Sequence, residues 1–206
     1  MKPLWKYTLL IVGLLTIPAV PFLLFGEPME ADMERWLREQ TSFEAVAAGV
    51  VGLLTIDVLL PVPSSIVCTL AGSFLGLFWG MLFATLGMTA GALLGFALGR
   101  LLGRPAMNHW IGPAELAKLD ELVDRYGVAI LVALRPVPLF AEASTLLLGC
   151  SRMLWPMFLL TTVPIHLLLA LVYALLGKYL SLPVGVALSV AIALLLSLAA
   201  KKMLKM

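Results

Sequence analysis

The chain has 206 residues, of which 62% are hydrophobic and only 13% charged, with a net charge of +2 and a mean hydropathy of +1.05. An apolar share this far above that of a soluble domain places the protein in a bilayer, at a length that suits one domain. The small charge, scattered near the ends of apolar runs, excludes a nucleic-acid binder.

Lys2 and Lys6 precede an apolar run, residues 7–25, interrupted by Gly13, Pro18 and Pro21 and lacking a small-residue cleavage pattern. It reads as an uncleaved first span. Residues 28–43 carry Met29, Met33, Trp36, Leu37 and Phe43 at three- and four-residue steps among acids and arginines, the pattern of an external interfacial helix. Next come two short apolar pieces, 45–60 and 64–79, around Pro61-Val62-Pro63. Each would rise only ~24 Å against a hydrocarbon core of ~30 Å. Residues 45–79 are therefore expected to form a re-entrant hairpin that returns to the side it entered from, with the prolines at its tip. Residues 80–99 form a full span in which Gly87, Gly91, Gly95 and Gly99 recur every four residues, with Ala84 extending the row. Such a stripe lets another helix approach closely.

Residues 105–126 read as a cytoplasmic interfacial helix, with Leu116, Leu119, Leu122 and Val123 in a stripe opposite Lys118, Asp120 and Asp124. A second re-entrant hairpin, 127–151, follows with Pro136-Val137-Pro138 at its tip; its first arm, 127–134, would rise ~12 Å. Spans 154–177 and 180–200 complete the chain. With four crossings and two re-entrant hairpins, Lys2, Lys6, Arg100, Arg104, Lys118, Arg125, Arg152, Lys201, Lys202 and Lys205 share one side, against Arg35, Arg38 and Lys178 on the other. By the positive-inside rule both termini are cytoplasmic. The two hairpins then enter from opposite faces. Pro61 to Pro63 matches Pro136 to Pro138 at an offset of 75, and Trp79, Met81 and Thr85 match Trp155, Met157 and Thr161 at 76. The predicted fold is an all-α integral membrane protein built on an inverted repeat, the plan of carriers whose interrupted helices meet near the midplane.

Asp57, Arg135 and Glu142 are the ionisable residues in the embedded portions of this plan. Each charge at a helix centre costs ~2.5 to 3.5 kcal/mol, so such groups face an internal cavity, pair, and mark a pathway. Arg135 immediately precedes Pro136, and its rigid fork of donors suits a phosphate head group. Asp57 and Glu142 either balance the arginine in the absence of substrate or take up a proton. The competing reading is a static ion triad that docks the hairpins. Ser64, Ser65 and Ser144, with Thr69 and Thr145, lie just beyond the proline tips, Pro61, Pro63, Pro136 and Pro138, as candidate head-group ligands, although hydroxyls in membrane helices commonly bond their own preceding turn. His166 is either a proton relay or a packing residue. Cys68 and Cys150 read as small buried hydrophobes. No catalytic, phosphate-loop or metal-ligand motif is present, so neither an enzyme nor a cofactor is expected.

The segments "LLPVPSSIVCTLAGSFLG", "GMTAGALLGFALGRLLG" and "LRPVPLFAEASTLLLGCSRMLWPMF" resemble the DedA superfamily, also called the VTT-domain or SNARE-associated Golgi protein family, from about Leu53 to Tyr179. The resemblance implies opposed re-entrant hairpins, lipid transport in a bacterial inner membrane, and translocases of undecaprenyl phosphate or phospholipid, or scramblases, as relatives. The family's motif arginine falls on Arg135 and its acidic residue on Asp57. The chain departs where the family has a second arginine, here Ala141 beside Glu142, and where it has an Asp, here Phe96. Both changes point to the divergent VTT branch and to a different lipid. The expected function is a translocase for a phosphate-bearing lipid, with proton coupling and homo-oligomerisation left open. The alternatives are a proton- or cation-coupled carrier of a small solute and a non-transporting scaffold.

Overall fold

A computed structural model describes residues 42–60, 62–134 and 138–180, together with 35, 36, 39, 184 and 188. The expected span 7–25, most of the interfacial segment 28–43 and nearly all of span 180–200 lie outside the described residues. These are helical, with no strand among them: α1 Phe43–Ile56, α2 Ser64–Leu98 running into a π-helical turn Gly99–Gly103, α3 Arg104–Ile111, α4 Pro113–Leu134, α5 Pro138–Cys150 and α6 Trp155–Tyr179. Ser42 starts α1 by accepting the Ala45 N–H on its hydroxyl at 3.1 Å, the ordinary N-cap bond.

The chain reverses inside α2. Gly76 has φ +76°, a left-handed conformation that glycine adopts without steric cost, and it splits the element into arms 64–75 and 77–98. The arms fold back on each other, so that a Cβ on Gly80 would stand 2.6 Å from the Ala71 carbonyl oxygen. α1 lies along the second arm in the same direction: Phe43 packs edge-on against Trp79 and Phe83 with ring centroids 6.0 and 6.1 Å apart, Val51 and Leu54 cover Gly87, and the Leu54 carbonyl covers Gly91. α1 and residues 64–75 are thus the two arms of a helical hairpin. The sequence places its end at residue 79; the backbone turns three residues earlier, at the position whose φ only glycine tolerates.

α6 runs antiparallel to the arm 77–98. Thr89 Oγ1 lies 3.0 Å from His166 Nδ1, and the Phe96 and Phe158 rings stack with centroids 4.3 Å apart. At 22 residues the arm rises ~33 Å, and α6 at 25 residues ~37 Å, each more than a hydrocarbon core. Ser64–Ile111 and Trp155–Tyr179 are the two helical stretches among the described residues that are long and apolar enough to cross a membrane. The side-chain distribution on α6 is inverted relative to a soluble helix. Its buried face carries Thr162, His166, Ala170, Ala174 and Gly177, while Leu160, Val163, Leu167 and Leu168 are exposed. Small and polar residues between helices with leucines outward is the arrangement that hydrocarbon solvent favours.

α4 departs from the expected stripe. It runs unbroken through residue 127, and its buried face is Leu116, Asp120, Val123 and Gly127, with Leu122 half exposed. Asp120 is drawn inward by Arg104, to which it is bonded, and the helix turns to suit that pair rather than the leucines.

Close helix approach makes the glycine row unequal in its tolerance. A Cβ on Gly91 would lie 2.5 Å from the Leu54 carbonyl oxygen, whereas one on Gly52, exposed in α1, meets nothing within 4 Å. Gly91→Ala is expected to cost about 1 to 3 kcal/mol by overpacking, and Gly52→Ala to gain up to about 1 kcal/mol. Thermal unfolding of the detergent-solubilised variants checks the ordering.

Candidate functional site

The tip of the first hairpin is a problem in backbone accounting, because N–H groups withdrawn from water need partners from the protein itself. Pro61 and Pro63 carry no N–H. Leu59 and Leu60 donate to the Ile56 carbonyl at 2.8 and 2.9 Å, and the Val62 N–H donates to the Leu60 carbonyl at 2.9 Å and to Asp57 Oδ1 at 3.3 Å. Asp57 therefore closes the tip loop with its own carboxylate. Pro63 caps α2, accepting from the Ile66 and Val67 N–H groups, and Ser64 and Ser65 follow half-buried in the first turn. Pro61, Arg135 and Pro136 lie outside the described residues.

α5 begins at Pro138 and carries Glu142, half-buried, then Ser144 and Thr145, both fully buried. Their hydroxyls donate to the preceding turn: Ser144 to Ala141 at 2.7 Å, Thr145 to Glu142 at 2.8 Å, and in the first hairpin Thr69 to Ser65 at 2.7 Å. The tip of the first hairpin and α5 meet at Gly95. A Cβ there would collide with Thr145 Oγ1 of α5 and stand 2.9 Å from a methyl of Val58 in the first tip. Asp57 is the neighbour of Val58, and Glu142 lies one turn before Thr145. The backbone positions of both acids thus lie within about a helical turn, along their own segments, of residues that touch one glycine. His166 is fully buried between α6 and α2, joined to Thr89. Cys68 and Cys150 are free and buried.

A second constellation appears at the other end of α2. Arg100 Nε donates to the Gly149 carbonyl at 2.9 Å and its NH2 to Met153 at 2.6 Å, with the guanidinium 5.1 Å over the Phe96 ring. Arg104 forks onto both oxygens of Asp120, at 2.9 and 3.0 Å, and donates to the Cys150 carbonyl at 2.7 Å. Arg152 adds its backbone N–H to Asp120 Oδ1 at 2.8 Å and its Nε to Oδ2 at 3.2 Å. Cationic side chains thus satisfy the last carbonyls of α5, where orphan acceptors and the negative end of the helix dipole coincide. The Arg104 fork holds the Asp120 carboxyl below the usual carboxylate range against the opposing effect of burial, with Arg152 assisting. From the sequence these arginines read only as positive-inside charges. The available signal was Arg100 and Arg104 one turn apart on one face, a like-charged pair that requires a counter-ion.

A family profile described as the VTT domain matches residues 62–179, more than half of the chain. The chain belongs to the VTT-domain family. Comparison with curated proteins and with solved structures found no match. The VTT match begins in the first tip and ends on the last residue of α6, so it takes in the return arm, the Gly95 contact, the arginine cluster and the second hairpin. The VTT family is membrane-associated and linked to transport, and the apolar helices agree with a membrane protein.

Two measurements test these assignments. Asp57→Ala removes the tip-closing acceptor and is expected to cost about 1 kcal/mol, whereas Asp57→Asn keeps a carbonyl oxygen there and stays near the parent; thermal melts compare them. Because the folded-state pKa of Asp120 is lowered, its contribution is full above the ordinary aspartate value of about 4 and is lost as pH falls below it through the folded-state value. Melting temperatures from neutral to strongly acidic pH should fall more steeply for the parent than for Asp120→Asn, which starts lower.

Proposed function

We propose that this VTT-domain protein translocates a phosphate-bearing lipid between bilayer leaflets. The observation that carries the reading is the contact of both hairpins with one face of Gly95, which brings the first tip and the return arm of the second together in the interior of the helix bundle. In this reading the hairpins are re-entrant, enter from opposite faces of a bacterial inner membrane, and leave both termini cytoplasmic.

Similar contacts, made by return-arm residues 76 positions apart though on long-helix positions that do not keep that offset, support the inverted repeat. In the first half, residues 69, 72 and 73 of the return arm cross α6 at Ala174 and Gly177, and Ser73 donates to the Gly177 carbonyl at 2.7 Å. In the second half, Thr145, Leu146 and Gly149 of the return arm cross the end of α2 at Gly95, Phe96 and Gly99. Thr69 corresponds to Thr145 and Ser73 to Gly149. Thr85 donates to the Met81 carbonyl at 2.7 Å, and its equivalent Thr161 donates to Met157 at 2.9 Å. Each return arm thus packs on the long helix of the other half, an exchange that suits two halves moving against each other.

Arg135, at the second tip, is assigned the phosphate, and Asp57 and Glu142 the neutralisation of that arginine when no lipid is bound, with Glu142 as the group that couples to protons. Pro61, Pro63, Pro136 and Pro138 keep the tips free of surplus N–H donors, Ser64 and Ser65 line the approach, and Ser144, buried on the Ala141 carbonyl, packs behind it. No covalent bond is made or broken, so no catalytic group or cofactor is assigned.

In reconstituted vesicles carrying a leaflet-specific lipid reporter, Arg135→Ala should slow movement at least about tenfold, the value of one lost charge-assisted pairing. Glu142→Gln should flatten its pH dependence. Lipid movement at the parent rate in Arg135→Ala overturns the head-group role, and saturable uptake of a soluble solute without lipid movement overturns the substrate class.

A further inference from the structure

The arginine cluster does more than close α5. Beside it lies a cavity of about 460 Å³ whose wall includes Arg100, Arg104, Asn108, Ala117, Asp120 and Arg152. Three guanidinium groups face one carboxylate there, a formal excess of two positive charges on a concave surface. The excess is not idle geometry, since Arg100 and Arg104 are one turn apart and repel each other. Their carbonyl bonds hold the forks in fixed orientations. Of five N–H donors each, Arg100 commits two and Arg104 three to the partners described above, and among the described residues the remainder are uncommitted. A tetrahedral oxyanion suits such a wall: it offers several acceptors and supplies the missing negative charge.

The surroundings decide between a free anion and the head of a lipid. Leu101 and Leu102, between the two arginines, Trp110, two residues beyond Asn108, and Leu154, next to the carbonyl that holds Arg100, are each between 66% and 70% exposed. Four large apolar side chains on the same segments as the charged wall, none of them part of the wall itself, give those segments an oily outer surface beside the cavity. Arg100 and Arg104 share one face and reach inward while Leu101 and Leu102 stand outward, and the stretch is a π turn, Gly99–Gly103, of a kind that recurs at functional positions. A phosphate in the cavity with acyl chains over Leu101, Leu102 and Trp110 satisfies both surfaces at once.

We propose that this cavity binds the phosphate head of an anionic lipid in the leaflet on the arginine-bearing face, at a site separate from the hairpin tips. It does not require that the protein moves lipid, and it is read without a transport measurement, so the two proposals fail separately.

The test uses the purified full chain in neutral detergent, with binding followed by native mass spectrometry and by the lipid-induced shift in melting temperature. Phosphatidic acid, phosphatidylcholine and inorganic phosphate are the probes. Phosphatidic acid is expected to bind at least about tenfold more tightly than phosphatidylcholine and to raise the melting temperature. Arg152→Gln, on an exposed side chain, and Ala117→Glu, which adds a carboxylate to the cavity without removing any bond, should each cut phosphatidic acid binding about tenfold. Ala117→Glu should do so while melting like the parent when lipid-free. Equal binding of the two lipids, or parent-like binding by Ala117→Glu, overturns the site. Stabilisation by millimolar inorganic phosphate equal to that by phosphatidic acid overturns its assignment to a lipid.

Discussion

The hydrocarbon core supplies no water to a peptide group, and the form of this protein follows from that constraint. A helical hairpin whose tip is shielded from water must satisfy every N–H there or not have it. The first tip uses both devices, with prolines at 61 and 63 and the side chain of Asp57 bonded to the Val62 N–H. The same constraint explains the hydroxyls of Thr69, Ser144 and Thr145, each donating to its own preceding turn rather than standing unpaired between helices. It also makes helix contact a matter of closeness rather than oil. Leucines gain nothing by leaving lipid, so the interior is built where Gly87, Gly91, Gly95 and Gly99 let backbones touch.

Part of this was legible in the sequence because it rests on local chemistry. Proline pairs in short apolar runs announce a turn at any depth, and a glycine every four residues marks one side of a helix wherever that helix packs. Where the glycines lead is not local. Gly87 and Gly91 meet α1, Gly95 meets Val58 and Thr145, and Gly99 meets Leu146 and Gly149. A single stripe serves both hairpins, which a periodicity cannot express. Gly76 was passed over because its left-handed φ is set by the return of the chain and not by its neighbours in sequence. Asp120 was placed on the wet side of α4 because a stripe of leucines assigns acids to the opposite face. The pairing with Arg104, 16 positions earlier, outweighs that rule. The position of Arg135, the residue on which the functional reading leans hardest, lies outside the described residues.

The two ends of the bundle are chemically distinct. Around the Gly76 reversal, Phe43, Phe78, Trp79 and Phe83 form a chain of ring contacts with centroids 5.3 to 6.1 Å apart. Around the reversal between α5 and α6, Arg100 and Arg104 donate to backbone carbonyls and Arg152 donates its own N–H to Asp120. Aromatic rings suit the boundary between head groups and tails, and guanidinium groups suit a leaflet rich in anionic lipid. The two reversals thus carry different side-chain chemistry.

The bonds of Arg100 to Gly149 and Met153 join positions 49 and 53 residues apart. While the chain is being made, the long helix is complete well before those carbonyls exist. During that interval the Arg100 guanidinium has only water and phosphates to bind, which resists any slide of the helix into the oil. The late arrival of α5 then exchanges a provisional mooring for a permanent one, and fixes the depth of the helix after its insertion is over.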